Sequence, residues 1–213
     1  MDIDKRVGEF IIAKLKDSYY ADNRDLIKWG GIIHLCNTSG IKHIIQVAYF
    51  RESSWLKLLF DGEIEDIPKE VIEHFRDIDD IKRLGKKLGI TIDIVKDEFS
   101  KSNRGEYTKD ICQRIQEQAQ RQIVFLDPDT GLAPQKATAE HVTREEISLI
   151  WQYLKRGDYL VLYQHNPHIE DWENIRRIEF AQACNTEEEK ISTWKASEKF
   201  NDVVLFFCVK YNE

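Results

Sequence analysis

The stretch Ile123-Val124-Phe125-Leu126-Asp127-Pro128-Asp129-Thr130-Gly131-Leu132 decides the fold. Four apolar residues in a row read as a buried strand. The run stops at Asp127, Pro128 has no N–H to extend a ladder, and Gly131 permits a sharp turn. Two carboxylates are therefore expected on a tight loop at the carboxyl end of a core strand. In open α/β sheets that edge is where ligands bind.

Outward from this strand, apolar runs alternate with helical periodicities. Strands are expected at 44–50, 90–95, 159–164 and Val203–Val209. Between them, a helix at 23–36 carries Leu26, Trp29, Ile33 and Cys36. Another at 64–87 carries Val71, Phe75, Ile78, Ile81 and Leu88, with basic residues in its last turns and Gly89 as its stop. Thr108 is read as the cap of a helix bearing Ile111, Ile115 and Ala119. Thr143-Arg144-Glu145-Glu146 has the form of a capping box ahead of Ile147, Ile150, Trp151 and Leu154. Trp172, Ile175 and Ile178 mark a further helix. At the N-terminus, Val7, Phe10, Ile11 and Leu15 fall at helix spacing behind Asp2 or Asp4.

Helical crossovers of this kind favour parallel strands. The expected fold is α/β and Rossmann-like, a mostly parallel sheet with helices on both faces. Residues 1–213 read as one domain, with 1–40 a helical N-terminal extension and 41–213 the core.

Hydrophobic residues are 42% of the 213, enough for a sizeable core, and the formal net charge is −7. That charge argues against a generic basic coat for nucleic acid, although 31 lysines and arginines still allow a local basic groove. No apolar run approaches the ~20 residues of a membrane span. The opening MDIDKRVGEF lacks a basic start and apolar centre, so a cytoplasmic location is expected. Cys36, Cys112, Cys184 and Cys208 form no Cys-x-x-Cys pair, and buried free thiols are expected rather than a zinc site.

Asp127 and Asp129 on one loop have the form of a hard-cation site, for magnesium, or of an acceptor for an amine or ribose. Both are common turn residues for local reasons as well. If the strand at 159–164 is parallel to Ile123–Leu126, then Gln164, His165 and His168 share that edge. His165 could act there as acid or base. A second charged cluster, Asp22 to Lys28, has a local explanation in helix capping and a Lys28–Asp25 pair. Gly30 and Gly31 inside the same helix point to close packing or to backbone approach to a ligand. Phosphate-loop, dinucleotide and nucleophile-elbow motifs are all absent from the sequence.

The element order and the pairs Asp25/Lys28 and Asp127-Pro128 resemble the bacterial methyltransferases that modify adenine in ribosomal RNA. The resemblance implies a methyltransferase-like fold and S-adenosylmethionine as cofactor. Asp25 and Lys28 would border the cofactor, and Asp127 would orient a target amine. Asp129 and Thr130 stand where that family has a second proline and an aromatic. Ala48-Tyr49-Phe50-Arg51-Glu52 stands where it has an acidic, glycine-rich turn. The chain also resembles a set of uncharacterised bacterial proteins with Leu-Asp-Pro-Asp-x-Gly-Leu and a Tyr-Gln-His strand end.

The leading expectation is a divergent methyltransferase-fold enzyme acting on a nucleotide or nucleic acid. One alternative is a magnesium-dependent phosphoester hydrolase or nuclease using Asp127 and Asp129 as metal ligands, with His165 assisting. The other is a non-catalytic binding module of the same fold.

Overall fold

The computed structural model describes residues 23–51, 57–60, 62–71, 77–196 and 202–211. The helix expected at 7–15 and the position of Phe75 lie outside them. The helices are α1 (Asn23–Ser39), α2 (Ile81–Leu88), α3 (Arg104–Glu117), α4 (Arg144–Tyr153) and α5 (Trp172–Ala183). The strands are β1 (His43–Val47), β2 (Lys57–Phe60), β3 (Glu63–Asp66), β4 (Thr91–Val95), β5 (Ile123–Leu126), β6 (Gly131–Leu132), β7 (His141–Val142), β8 (Tyr159–His165), β9 (Ser192–Trp194) and β10 (Val203–Val209).

The main sheet has six strands in the order β4-β1-β5-β8-β10-β9. β4, β1, β5 and β8 run parallel, and β10 runs antiparallel to both β8 and β9. The chain leaves β1 to one side for β4 and returns on the other side for β5. The topological switch point therefore lies between β1 and β5, and ligands of such sheets bind outside the carboxyl ends there.

Helices cover both faces. On one, Trp29, Ile32 and Cys36 of α1 pack on Ile44, Ile92, Phe125, Val161 and Leu205, with Ile81 of α2 beside them. On the other, Ile111 and Ile115 of α3, Ile147 and Ile150 of α4 and Phe180 of α5 pack on Ile45, Val47, Val124, Leu126, Leu160 and Phe206. β5 is buried at all four positions because it is covered on both sides. α1 thus packs directly on the sheet. Gly31 belongs to this contact, since a side chain there would meet Trp194 and Leu205, whereas Gly30 has open space.

Several elements differ from the sequence expectation. The segment 63–66 is a strand in a β2–β3 hairpin, with Ile64 exposed, and the described helical parts are 69–71, a 3-10 turn at Ile78–Asp80 and α2. Pro68, which cannot donate a helical hydrogen bond, lies between. Val71 and Leu88 are exposed rather than core. α3 begins at Arg104, and Thr108 is an interior residue whose hydroxyl donates to Arg104 O at 2.8 Å. The capping box at Thr143 forms fully, with Thr143 accepting from the Glu146 amide. All four cysteines are free and buried. Among the described residues no helix is long and apolar enough to cross a membrane.

Candidate functional site

At the carboxyl end of β5 the Asp127 amide donates to Val47 O at 3.0 Å, so the loop starts by crossing the switch point to β1. The Asp127 carboxylate faces α1. Lys28 Nζ lies 2.8 Å from Asp127 Oδ1 and 3.3 Å from Asp25 Oδ1. The same ammonium stands 4.3 Å from the centroid of the Tyr163 ring of β8, a cation–π distance. Gln46, fully buried on β1, donates from Nε2 to Asp127 Oδ2 at 3.1 Å. Five residues from α1, β1, β5 and β8 thus converge at the switch point.

The chain builds this arrangement simply. Asp25, Lys28, Trp29 and Ile32 recur at helix spacing, so the turn that buries Trp29 against Phe125, edge-on at 6.0 Å, also turns Lys28 to the sheet end. Burial works against the Lys28 ammonium, yet Asp127 and Asp25 outweigh it and hold Lys28 above its usual pKa. Burial pushes the Asp127 carboxyl up, and Lys28 opposes that push. Lys28 and Asp127 are only 15% and 9% exposed at the side chain, so the pair is a buried one.

The loop turns back on the end of β8. Gln164 Nε2 donates to Thr130 O at 2.9 Å, Leu132 N donates to Gln164 Oε1 at 2.8 Å, and His165 N donates to Thr130 O at 3.1 Å. Gly131 has φ +104°, and a Cβ there would drive into the Gln164 amide. The acidic loop and the Tyr-Gln-His strand end therefore share one rim.

The remaining expected residues are placed differently. Asp129 pairs with Arg51, whose other nitrogen lies 3.7 Å from Glu140. Asp127 and Asp129 are thus each matched to a cation of the protein itself. No group of three metal-ligating side chains converges among the described residues. Asp127 and Asp129, the expected magnesium ligands, face different cationic partners.

His165 Nε2 lies 3.2 Å from Asp202 Oδ2, and Nδ1 lies 3.2 Å from Asn166 O. Each ring nitrogen has an acceptor within reach, and the tautomer sets which of them donates. Arg24 of α1 pairs with the same Asp202 carboxylate. Burial pushes Asp202 up, but Arg24 and His165 prevail and hold its carboxyl below the usual value. His168 has φ 60° and its amide donates to Asn166 Oδ1 at 2.7 Å, a turn role.

The turn after β1 is closed by the protein. Tyr49 adopts φ 46° and is buried against Phe99 and Tyr107, at ring distances of 4.9 and 5.6 Å. Its amide donates to Tyr107 Oη at 3.1 Å, and Ala48 N donates to Val95 O at 3.1 Å.

A cleft of about 520 Å³ lined by Trp151, Gln182, Asn185 and Lys210 opens at the opposite rim. Lys210, which follows β10, lies 4.6 Å from the Trp151 ring. α4 and α5 both end beside this cleft, so its cations face helix C-termini and need no ligand to explain them.

Gln46 and Asp202 escaped the sequence reading, and Tyr163, Arg24 and Arg51 carried no individual role in it. Gln46 had a signal, a polar residue inside the apolar run Ile44-Ile45-Gln46-Val47. Asp202 had none, because it reaches the rim only through the antiparallel return of β10.

No protein-family model matches the sequence. No curated protein matches it either. Among solved structures it is similar to a protein from Thermobifida fusca provisionally named a methyltransferase, at 12% identity and a TM-score of 0.42, over 85% of this chain and 78% of that one. An overlap of that size carries no argument, and the α/β fold rests on the sheet and helices described above.

Proposed function

We propose that this chain is a divergent enzyme of the methyltransferase type, with its reacting centre at the β1–β5 switch point. The observation that carries the reading is the convergence of Asp25 and Lys28 on Asp127. Those three residues carry the resemblance in sequence, and they come from segments about a hundred positions apart.

The donor set suits the amino-acid end of S-adenosylmethionine. Lys28 offers an ammonium to a carboxylate, and Asp25 offers a carboxylate to an ammonium. The cofactor would supply an activated methyl group. The chain's own residues would orient the acceptor: Asp127, held by Lys28 and Gln46, accepts a hydrogen bond from the target amine of a nucleotide or nucleic acid. Tyr163 walls the site behind Lys28.

A second reading, a binding module that keeps the fold without the cofactor, is favoured by one observation. The amides of Ala48 and Tyr49 are spent on Val95 and Tyr107, where a cofactor-binding turn would offer backbone to its ligand. The magnesium hydrolase reading has no such support.

Calorimetric titration with S-adenosylmethionine separates the two. The first reading expects saturable heat, weakened at least tenfold by Asp25→Asn. Absence of heat at millimolar cofactor favours the binding module.

A further inference from the structure

We propose that Gln46 is a positioning residue which, together with Lys28, orients the Asp127 carboxylate to accept an N–H from a ligand. The inference rests on the reading of this rim as the reacting centre and names how its carboxylate is set.

The two carboxylate oxygens have separate donors. Oδ1 faces Lys28 at 2.8 Å and Oδ2 receives Gln46 Nε2 at 3.1 Å. The main chain of Asp127 is fixed independently by its amide bond to Val47 O. The carboxylate is therefore held at two points, from α1 and from the middle of β1, and its main chain at a third, from the end of β1. A carboxylate has about four acceptor sites, so two remain for a ligand. An ammonium at one oxygen and an amide N–H at the other favour the ionised, accepting form of Asp127 over the protonated acid. That form suits a ligand group that brings its own hydrogen, such as an exocyclic or primary amine.

Gln46 is a costly residue in this position. It is completely buried in a strand whose neighbours are isoleucine and valine. Burial of an amide in a core strand is tolerated when it is hydrogen-bonded, and its Nε2 donates to the Asp127 carboxylate. Lys28 cannot do this work alone, because an ammonium is a rotatable point charge, whereas an amide N–H fixes direction. The Tyr163 ring and Asp25 in turn hold Lys28 in place.

Selective ¹³C labelling of aspartate, with the Asp127 carboxyl resonance assigned by Asp127→Asn, tests this without cofactor or turnover. Failure here is therefore separable from failure to bind S-adenosylmethionine. In Gln46→Met, which keeps length and removes the donor, the Asp127 midpoint should rise by about one pH unit, a tenfold change, while other aspartates stay in place. An unmoved Asp127 in folded Gln46→Met overturns the proposal. Should that variant fail to fold, the side-chain amide protons of Gln46 in the native protein answer instead. They should shift as Asp127 titrates and in Asp127→Asn, and amide protons indifferent to both overturn the assignment.

Discussion

Lys28 Nζ and Asp127 Oδ1 stand 2.8 Å apart and join the second turn of α1 to the end of β5. Removing one partner of a buried ion pair leaves an uncompensated charge. Lys28→Met should therefore cost about 3–5 kcal/mol in urea unfolding. Asp127→Asn in the same background should recover part of the loss. A cost below about 1 kcal/mol would instead mark the pair as an ordinary surface one.

Gly131 and Gln164 meet where no side chain fits. Gly131→Ala meets both a left-handed backbone and the Gln164 amide. Its expected cost is about 2–4 kcal/mol from strain and overpacking together. Thermal unfolding measures it, and a neutral result would mean the loop does not close on β8 as described.

Tyr107 links two strand ends through one hydroxyl, which accepts from Tyr49 N and donates to Val95 O at 3.2 Å. Tyr107→Phe strands the buried Tyr49 amide, while Val95 O keeps its bond from Ala48 N. A loss of about 1–3 kcal/mol is expected, with faster hydrogen exchange at Tyr49. Unchanged exchange there would show that the turn does not depend on this hydroxyl.

Burial holds the His141 imidazole below its usual value, with Glu140 only partly opposing. The unfolded chain then binds the proton more readily than the folded one. Stability contributed by the neutral ring is full above about pH 6.5 and is lost as pH falls from there toward the folded value. The urea midpoint should fall more between pH 7.5 and pH 5.5 in the native protein than in His141→Gln. Equal falls would place the acid sensitivity elsewhere.

Much of this site was legible in the sequence. The apolar run before Asp127, the break at Pro128 and the glycine at position 131 report local chain geometry, and they located the loop. Asp25 and Lys28 were visible as a pair, although only a tertiary contact joins them to Asp127. What sequence could not give were partners set by topology. Asp202 meets His165 because β10 runs antiparallel beside β8, and Arg51 meets Asp129 across the switch point. The start of the helix expected at 64–87 differs for another reason: Ile64 keeps helical spacing in the sequence but lies exposed on a hairpin, and helix begins past Pro68.

A crystal structure of the protein soaked with S-adenosylmethionine tests the central claim most directly. The account predicts density at the carboxyl rim of β1 and β5, its amino-acid end within hydrogen-bond distance of Lys28 and Asp25. Density confined to the Trp151–Lys210 cleft at the opposite rim, or an unaltered Lys28–Asp127 pair with no ligand beside it at saturating cofactor, would contradict it.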